Sequence, residues 1–190
     1  MNIVAFHGSP RAGGNTEILL RETLKAVNPL EHSVCLFTLN GMDIKPCRNC
    51  GDCDDSGTCT IHDEMENIYD ALRRADRVIV ASPIFFFGLS AQTKIMIDRC
   101  QAFWCEKYLL KKPIPPGAYS RKGLLLLVGG MKNHTGVICG EATAKAFFRS
   151  VNVQEHETLS FLGVDRKGAI IDHPTALQEG FDAGKRLVGT

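Results

Sequence analysis

The sequence predicts an α/β fold: a five-stranded parallel sheet with helices on both faces, in one domain spanning 1–190. Three observations carry this. Short apolar runs recur along the 190 residues, as strands buried on both faces require. Segments with apolar residues at helical spacing separate those runs. The two kinds of segment alternate strictly, which is the pattern of βαβ crossovers.

Taken in order, Ile3-Val4-Ala5-Phe6 is an apolar run closed by Gly8, and reads as a buried first strand. Asn15 or Thr16 is expected to cap a helix with Ile18, Leu19, Thr23 and Val27 on one face, ended by Pro29. Ser33 to Phe37 is the second strand. Residues 40–62 have no regular period and hold Gly, Pro, Asn and Asp, so they read as a long functional loop inserted in the domain. Asp63 opens a helix whose apolar stripe is Met65, Ile68, Tyr69 and Leu72. Arg77 to Ala81 is the third strand, followed by a loop, 82–88, with three successive phenylalanines. Ser90 caps one helix with a stripe of Thr93, Met96, Ile97, Cys100 and Trp104. Gly123 to Val128 is a fourth strand, and 129–136 a glycine-punctuated loop. A helix over 137–150, a fifth strand over 153–162 and a last helix over 175–188 complete the pattern.

Composition excludes several classes. With 44% hydrophobic and 23% charged residues the chain can build a core, so it is not intrinsically disordered. Twenty-two basic against 21 acidic residues give a net charge of +1 without a polybasic run, which argues against a nucleic-acid partner. No apolar run approaches the roughly 20 residues that span a bilayer, which argues against a membrane partner. The apolar part of MNIVAFHGSP is too short for a signal peptide, so a cytoplasmic location with reduced thiols is expected.

In an open α/β sheet, ligands bind beyond the carboxyl ends of the strands. Three loops lie there. His7-Gly8-Ser9-Pro10-Arg11-Ala12-Gly13-Gly14-Asn15-Thr16 offers hydroxyls, an arginine and glycines just before a helix, which suits a phosphate. It is neither a Walker A loop nor a G-x-G-x-x-G turn. Ser82-Pro83-Ile84-Phe85-Phe86-Phe87-Gly88 can pack a flat conjugated ring, Gly88 letting the backbone approach it, or can simply close the core. The loop from Gly129 and Gly130 through Asn133 and His134 can supply amides to the polar edge of such a ring.

Eight cysteines divide into two sets. Cys35, Cys100, Cys105 and Cys139 lie among apolar neighbours and read as buried thiols. Cys47, Cys50, Cys53 and Cys59 crowd into 13 residues and mark a metal or redox centre. Four thiolates suit a [4Fe–4S] cluster, and Gly51 and Gly57 allow the backbone angles a tight loop requires. Structural zinc on four thiolates competes, although zinc sites usually show two separated C-x2-C hooks. Metal-free disulfides, formed in air after cluster loss, are the third reading. His62, three residues after Cys59, offers a substitute ligand, but with four thiols at hand a surface role is expected of it.

HGSPRAGGNT after the first strand, with SPIFFFGLSAQTKIMIDR after the third, resembles the flavodoxin-like, NADPH-dependent FMN reductase family. The array Cys47-x2-Cys50-x2-Cys53-x5-Cys59 resembles its iron–sulfur flavoprotein branch. The resemblance implies a three-layer sandwich with sheet order 2-1-3-4-5 and non-covalent FMN. It implies that Ser9, Arg11, Asn15 and Thr16 hold the FMN phosphate. Pro83, Ile84, Phe85, Phe86, Phe87 and Gly88 would line the ring, with Gly129, Gly130, Asn133 and His134 at its far edge. Relatives often carry Tyr where this chain has Phe85 and Phe86, so a hydroxyl contact is absent. The implied activity is electron transfer from ferredoxin or NAD(P)H, through FMN and a cluster, to a small-molecule or protein acceptor, in a homodimer or homotetramer. Two alternatives stand beside it: an NAD(P)H-dependent FMN or quinone reductase without a cluster, and a zinc-stabilised flavin-binding module that is not an enzyme.

Overall fold

The apolar segments form the strands expected of them. In a computed structural model that describes residues 1–189, the chain runs β1 (Asn2–His7), α1 (Asn15–Lys25), β2 (Ser33–Thr38) and a single turn α2 (Cys53–Ser56). It continues through α3 (Met65–Arg74), β3 (Arg77–Phe85), β4 (Gly88–Leu89), α4 (Ala91–Arg99) and α5 (Gln101–Tyr108). Next come β5 (Lys122–Gly129), α6 (Thr135–Ser150), β6 (Glu155–Leu162), a 3-10 turn at Ala169–Asp172 and α7 (Ala176–Val188). β2, β1, β3, β5 and β6 lie side by side in that order, all parallel. This is the expected 2-1-3-4-5 order. The two-residue β4, antiparallel to the end of β3, is an addition to it.

Alternation along the central strands feeds two cores. Val4, Phe6, Val78, Val80, Leu125 and Leu127 pack with Ile68 and Leu72 of α3 and Phe147 and Phe148 of α6. Ile3, Ala5, Ile79, Ala81, Leu124 and Leu126 pack with Leu19 and Leu20 of α1 and Ala183 and Leu187 of α7. Each fully buried Leu, Ile or Phe contributes about 1.5–3 kcal/mol, so both helix layers are firmly held. Among the described residues no helix is long and apolar enough to cross a membrane.

Four local readings are corrected. β3 does not stop at Ala81. Ser82 and Pro83 still pair with Leu127 and Val128, so the turn begins only at Phe86. Pro83 is tolerated because β1 has ended opposite Ala81, leaving the ladder one-sided there. The single helix expected after Ser90 is two, broken at Cys100, whose amide bonds Ile97 in a tightened turn. α1 is capped by Gly14 rather than by Asn15 or Thr16. Cys35 and Cys139 are exposed, one on the edge strand β2 and the other on the outer side of α6, whereas Cys100 and Cys105 are buried as expected.

Candidate functional site

A cavity of about 570 Å³ opens beyond the carboxyl ends of β1, β3 and β5. Its wall brings together Ser9, Arg11, Asn15 and Thr16 from the first loop and Pro83, Ile84, Phe85, Phe86 and Phe87 from the second. Gly129, Gly130 and Asn133 come from the third. Gly88 and His134 do not reach it. Gly88 pairs with Phe85 in the β3–β4 hairpin, and His134 is exposed, its carbonyl accepting from Val137 and Ile138 at the start of α6. The sequence reading missed four wall residues: Val128, Met131, and Val164 and Asp165 from the loop after β6. Only the sheet order signals that last loop.

The first loop is held close against the hairpin. Gly8 donates its amide to Ala81 (2.8 Å), and its carbonyl accepts from the Ser90 hydroxyl (2.6 Å). A β-carbon at Gly8 would fall 1.8 Å from Thr93 Oγ1, so no other residue fits this approach. The turn then leaves the amides of Asn15, Thr16 and Glu17 without acceptors among the described residues. Such amides, with the positive end of α1 behind them, face an anion favourably. The Gly13 amide is not among them, because it donates to Glu17 Oε2 (2.7 Å). That bond, with Arg21, holds the Glu17 carboxyl below the usual carboxylate range.

Side chains divide in the same way. Ser9 Oγ accepts from the Arg11 amide (3.2 Å) and keeps its own proton to donate. Thr16, nearly buried, makes no side-chain bond among the described residues. Arg11 stays at the rim, with Nη1 donating to the Asp165 carbonyl (3.3 Å). Asn15 is engaged elsewhere: its amide donates to Arg166 O (3.0 Å), and its carbonyl accepts from the Ile170 amide. Asn15 therefore ties the loop after β6 to the site, with only its backbone left for a ligand. His7, buried beside this loop, has an Nε2 without a partner, and burial holds its imidazole below the usual range.

The hairpin rim is strained. Phe86 (φ 47°) and Phe87 (φ 60°) occupy the left-handed region in succession, as a two-residue hairpin turn demands. Asn-Gly is the usual solution, and bulky residues there cost about 1–3 kcal/mol each. The turn thereby holds Phe86 fully in solvent at the cavity mouth, at 104% relative exposure. A planar, largely apolar group fits this wall, with an anion at the α1 end. The cavity therefore suits FMN.

A second, much smaller pocket lies in the cysteine loop. Cys47, Cys50, Cys53 and Cys59 all border it, together with Arg99, Gln101 and Ala102. Gly51 (φ 86°) and Gly57 (φ 70°) turn the loop as expected, and the Asn49 amide donates to Cys47 Sγ at 3.5 Å. His62 points away, 85% exposed and paired with Glu66. Thiolates around one zinc ion sit about 2.3 Å from it, and so within roughly 4 Å of each other. Among the described residues only Cys53, Asp54 and Cys105 gather that tightly, within 4.8 Å, and the other three loop sulfurs do not join them. Four thiols on one pocket are a donor set that fits an iron–sulfur cluster.

Cys105 was missed as a neighbour of this pocket. α5 packs on α2, which sets Cys105 Sγ 3.7 Å from Cys53 Sγ and 3.1 Å from Asp54 Oδ1. Burial first, then the bonds to Asp54 and Cys53, push its thiol up to about 12. Burial likewise raises the Cys53 thiol. No spacing in the sequence announces the pair.

The family model of NADPH-dependent FMN reductases matches residues 1–154. An iron–sulfur flavoprotein of Methanosarcina thermophila is 32% identical over 133 residues, covering 70% of this chain and 65% of that one. Another, from Methanocaldococcus jannaschii, is 36% identical over 99 residues, covering 52% and 51%. The chain thus spans about half to two thirds of the length of these curated relatives. An NAD(P)H:quinone oxidoreductase from Methanothermobacter marburgensis superposes with a TM-score of 0.72 at 14% identity, covering 98% of each chain. An FMN-dependent NADH-azoreductase from Bacillus anthracis, solved with FMN, gives 0.71 at 12%, covering 99% of each. At those identities the likeness is one of fold. With its first 154 residues matched, the chain belongs to the NADPH-dependent FMN reductase family.

Proposed function

We propose that the chain is an FMN-dependent oxidoreductase carrying a [4Fe–4S] cluster on Cys47, Cys50, Cys53 and Cys59, and that it passes electrons between a reduced donor and an acceptor. One observation carries the reading. α4 begins at Ser90, bonded to the first cavity loop, and ends at Arg99, on the wall of the cysteine pocket. Nine residues of helix span about 13 Å, so the two sites are one short helix apart. When bound, FMN supplies chemistry in one- or two-electron steps and a cluster supplies single electrons.

The protein's part is binding and exclusion. Ser9, Thr16, Arg11 and the free amides of α1 hold the phosphate, while Pro83 to Phe87 and Gly129 to Asn133 enclose the ring. With Phe85 and Phe86 in place of hydroxyl-bearing residues, the ring meets an apolar wall. Phe86 and Met131, both more than 60% exposed, line the cavity and suit cover by a second copy of the chain, in a homodimer or homotetramer. The family match supports NAD(P)H as a donor and the cysteine loop supports ferredoxin.

A donor test separates the readings. Oxidised protein under argon is mixed with NADPH or with reduced ferredoxin, and bleaching of the flavin absorption is followed. Fast bleaching by ferredoxin in protein that contains iron supports the proposal. Bleaching by NADPH alone, in iron-free protein, supports the cluster-free reductase.

A further inference from the structure

Arg99 is the largest fully buried side chain in the protein, and it stands where the cysteine loop begins and ends. Its Nη1 donates to the Lys45 carbonyl (2.8 Å), two residues before Cys47, and to Asp63 Oδ2 (2.6 Å). Its Nη2 donates to the Ile61 carbonyl (3.0 Å), two residues after Cys59. One guanidinium therefore bonds both legs of the loop, beside the backbone pairing of Asp43 with Glu64. The Asp63 carboxylate beside it is fully buried and also accepts from the amides of Lys45 and Met65. The arginine's own carbonyl accepts from Tyr69 Oη (2.8 Å).

Four of the five N–H groups of the fork lie on Nη1 and Nη2. The fifth, on Nε, is buried and has no partner among the described residues. A buried donor left unpaired is costly, and more so on a charged group. Arg99 and Cys59 both line the cysteine pocket.

We propose that Arg99 is a positioning residue for the cluster: it clamps the two ends of the cysteine loop and donates its unpartnered Nε–H to a ligand sulfur. This rests on the cluster reading given above. A cation and an N–H···S bond both stabilise the more negative, reduced state of a cluster, so Arg99 raises its reduction potential. Lysine cannot replace the fork, because its three donors sit on a single atom.

Two variants test this in the anaerobically purified, cluster-loaded chain. Arg99→Lys keeps the charge and loses the fork and the Nε–H. Arg99→Met with Asp63→Asn removes charge from both partners and leaves no buried ion unpaired. The expected results are a lower midpoint potential of the cluster in both, an unchanged flavin potential, and iron release to a chelator at least tenfold faster than in the unaltered protein. A loaded cluster with the same potential and release rate in both variants would overturn the proposal while leaving the cluster reading intact. Absence of iron from the unaltered protein would overturn the cluster reading, and this inference with it. If neither variant folds, the unaltered Arg99 is read directly. Arginine is labelled with 15N at Nε in an Arg48→Lys background, so that Arg99 is the only arginine at the pocket. Electron–nuclear double resonance of the reduced cluster should show 15N coupling, and its absence is the contrary result.

Discussion

The cavity at the sheet edge draws its wall from four separate stretches of chain, whereas the cysteine pocket takes its four candidate ligands from residues 47–59 alone. The cavity is held by the sheet. Its loops leave paired strand ends, and Gly8, Ser90 and Thr93 lock two of them together. The pocket has one helical turn of its own, α2, and its two legs are joined by Arg99 together with bonds between Lys45 and Asp63 and between Asp43 and Glu64. The first site is a consequence of the fold. The second is a local sequence carried on the fold. Damage to one should therefore leave the other standing.

The largest expected effect breaks the pocket only. Cys50→Ser should remove nearly all cluster iron, measured per chain, while bound flavin stays at its original level. Loss of both would mean that the loop also shapes the cavity. The next effect lies on the other side. Gly8→Val places carbon where Thr93 Oγ1 stands, and overpacking of this kind costs about 1–3 kcal/mol. Urea unfolding should register that loss, and FMN affinity should fall with it, with iron content preserved. Arg11→Ala removes one charged hydrogen bond and should weaken FMN binding by about 1.5–3 kcal/mol in a fluorescence titration. Unchanged affinity would remove Arg11 from the phosphate site.

Two smaller effects sharpen the account of the cavity. Asn tolerates the left-handed conformation better than Phe, so Phe86→Asn should stabilise the protein by about 1 kcal/mol in the same urea assay. The smallest is a pH dependence. Burial lowers the His7 pKa below its unfolded value of about 6.5. Its contribution to stability is therefore complete above that pH and declines as pH falls toward the folded value. His7→Gln should make this decline shallower in the flavin-free protein.

The contrast also explains what the sequence disclosed. The alternation of strands and helices and the four loop cysteines follow from apolar period and spacing, which are local properties, whereas the strand order rests on the family resemblance. Cys105 and Asp165 are distant in sequence from the sites they border, and only packing brings them there: α5 against α2, and the loop after β6 against β5. Asn15 shows a different limit. Its type and position match a phosphate ligand, yet its amide fastens the loop that carries Val164 and Asp165. The hairpin turn at Phe86 and Phe87 is not legible as one in the sequence, because two phenylalanines at positive φ defy local preference.

The central claim is that one chain holds flavin at the sheet edge and a four-iron cluster in the cysteine loop. Metal and flavin analysis of protein purified without oxygen tests it most directly. The account predicts one FMN and about four iron atoms per chain, the full complement of a [4Fe–4S] cluster. Colourless protein that carries zinc and takes up no FMN would contradict it.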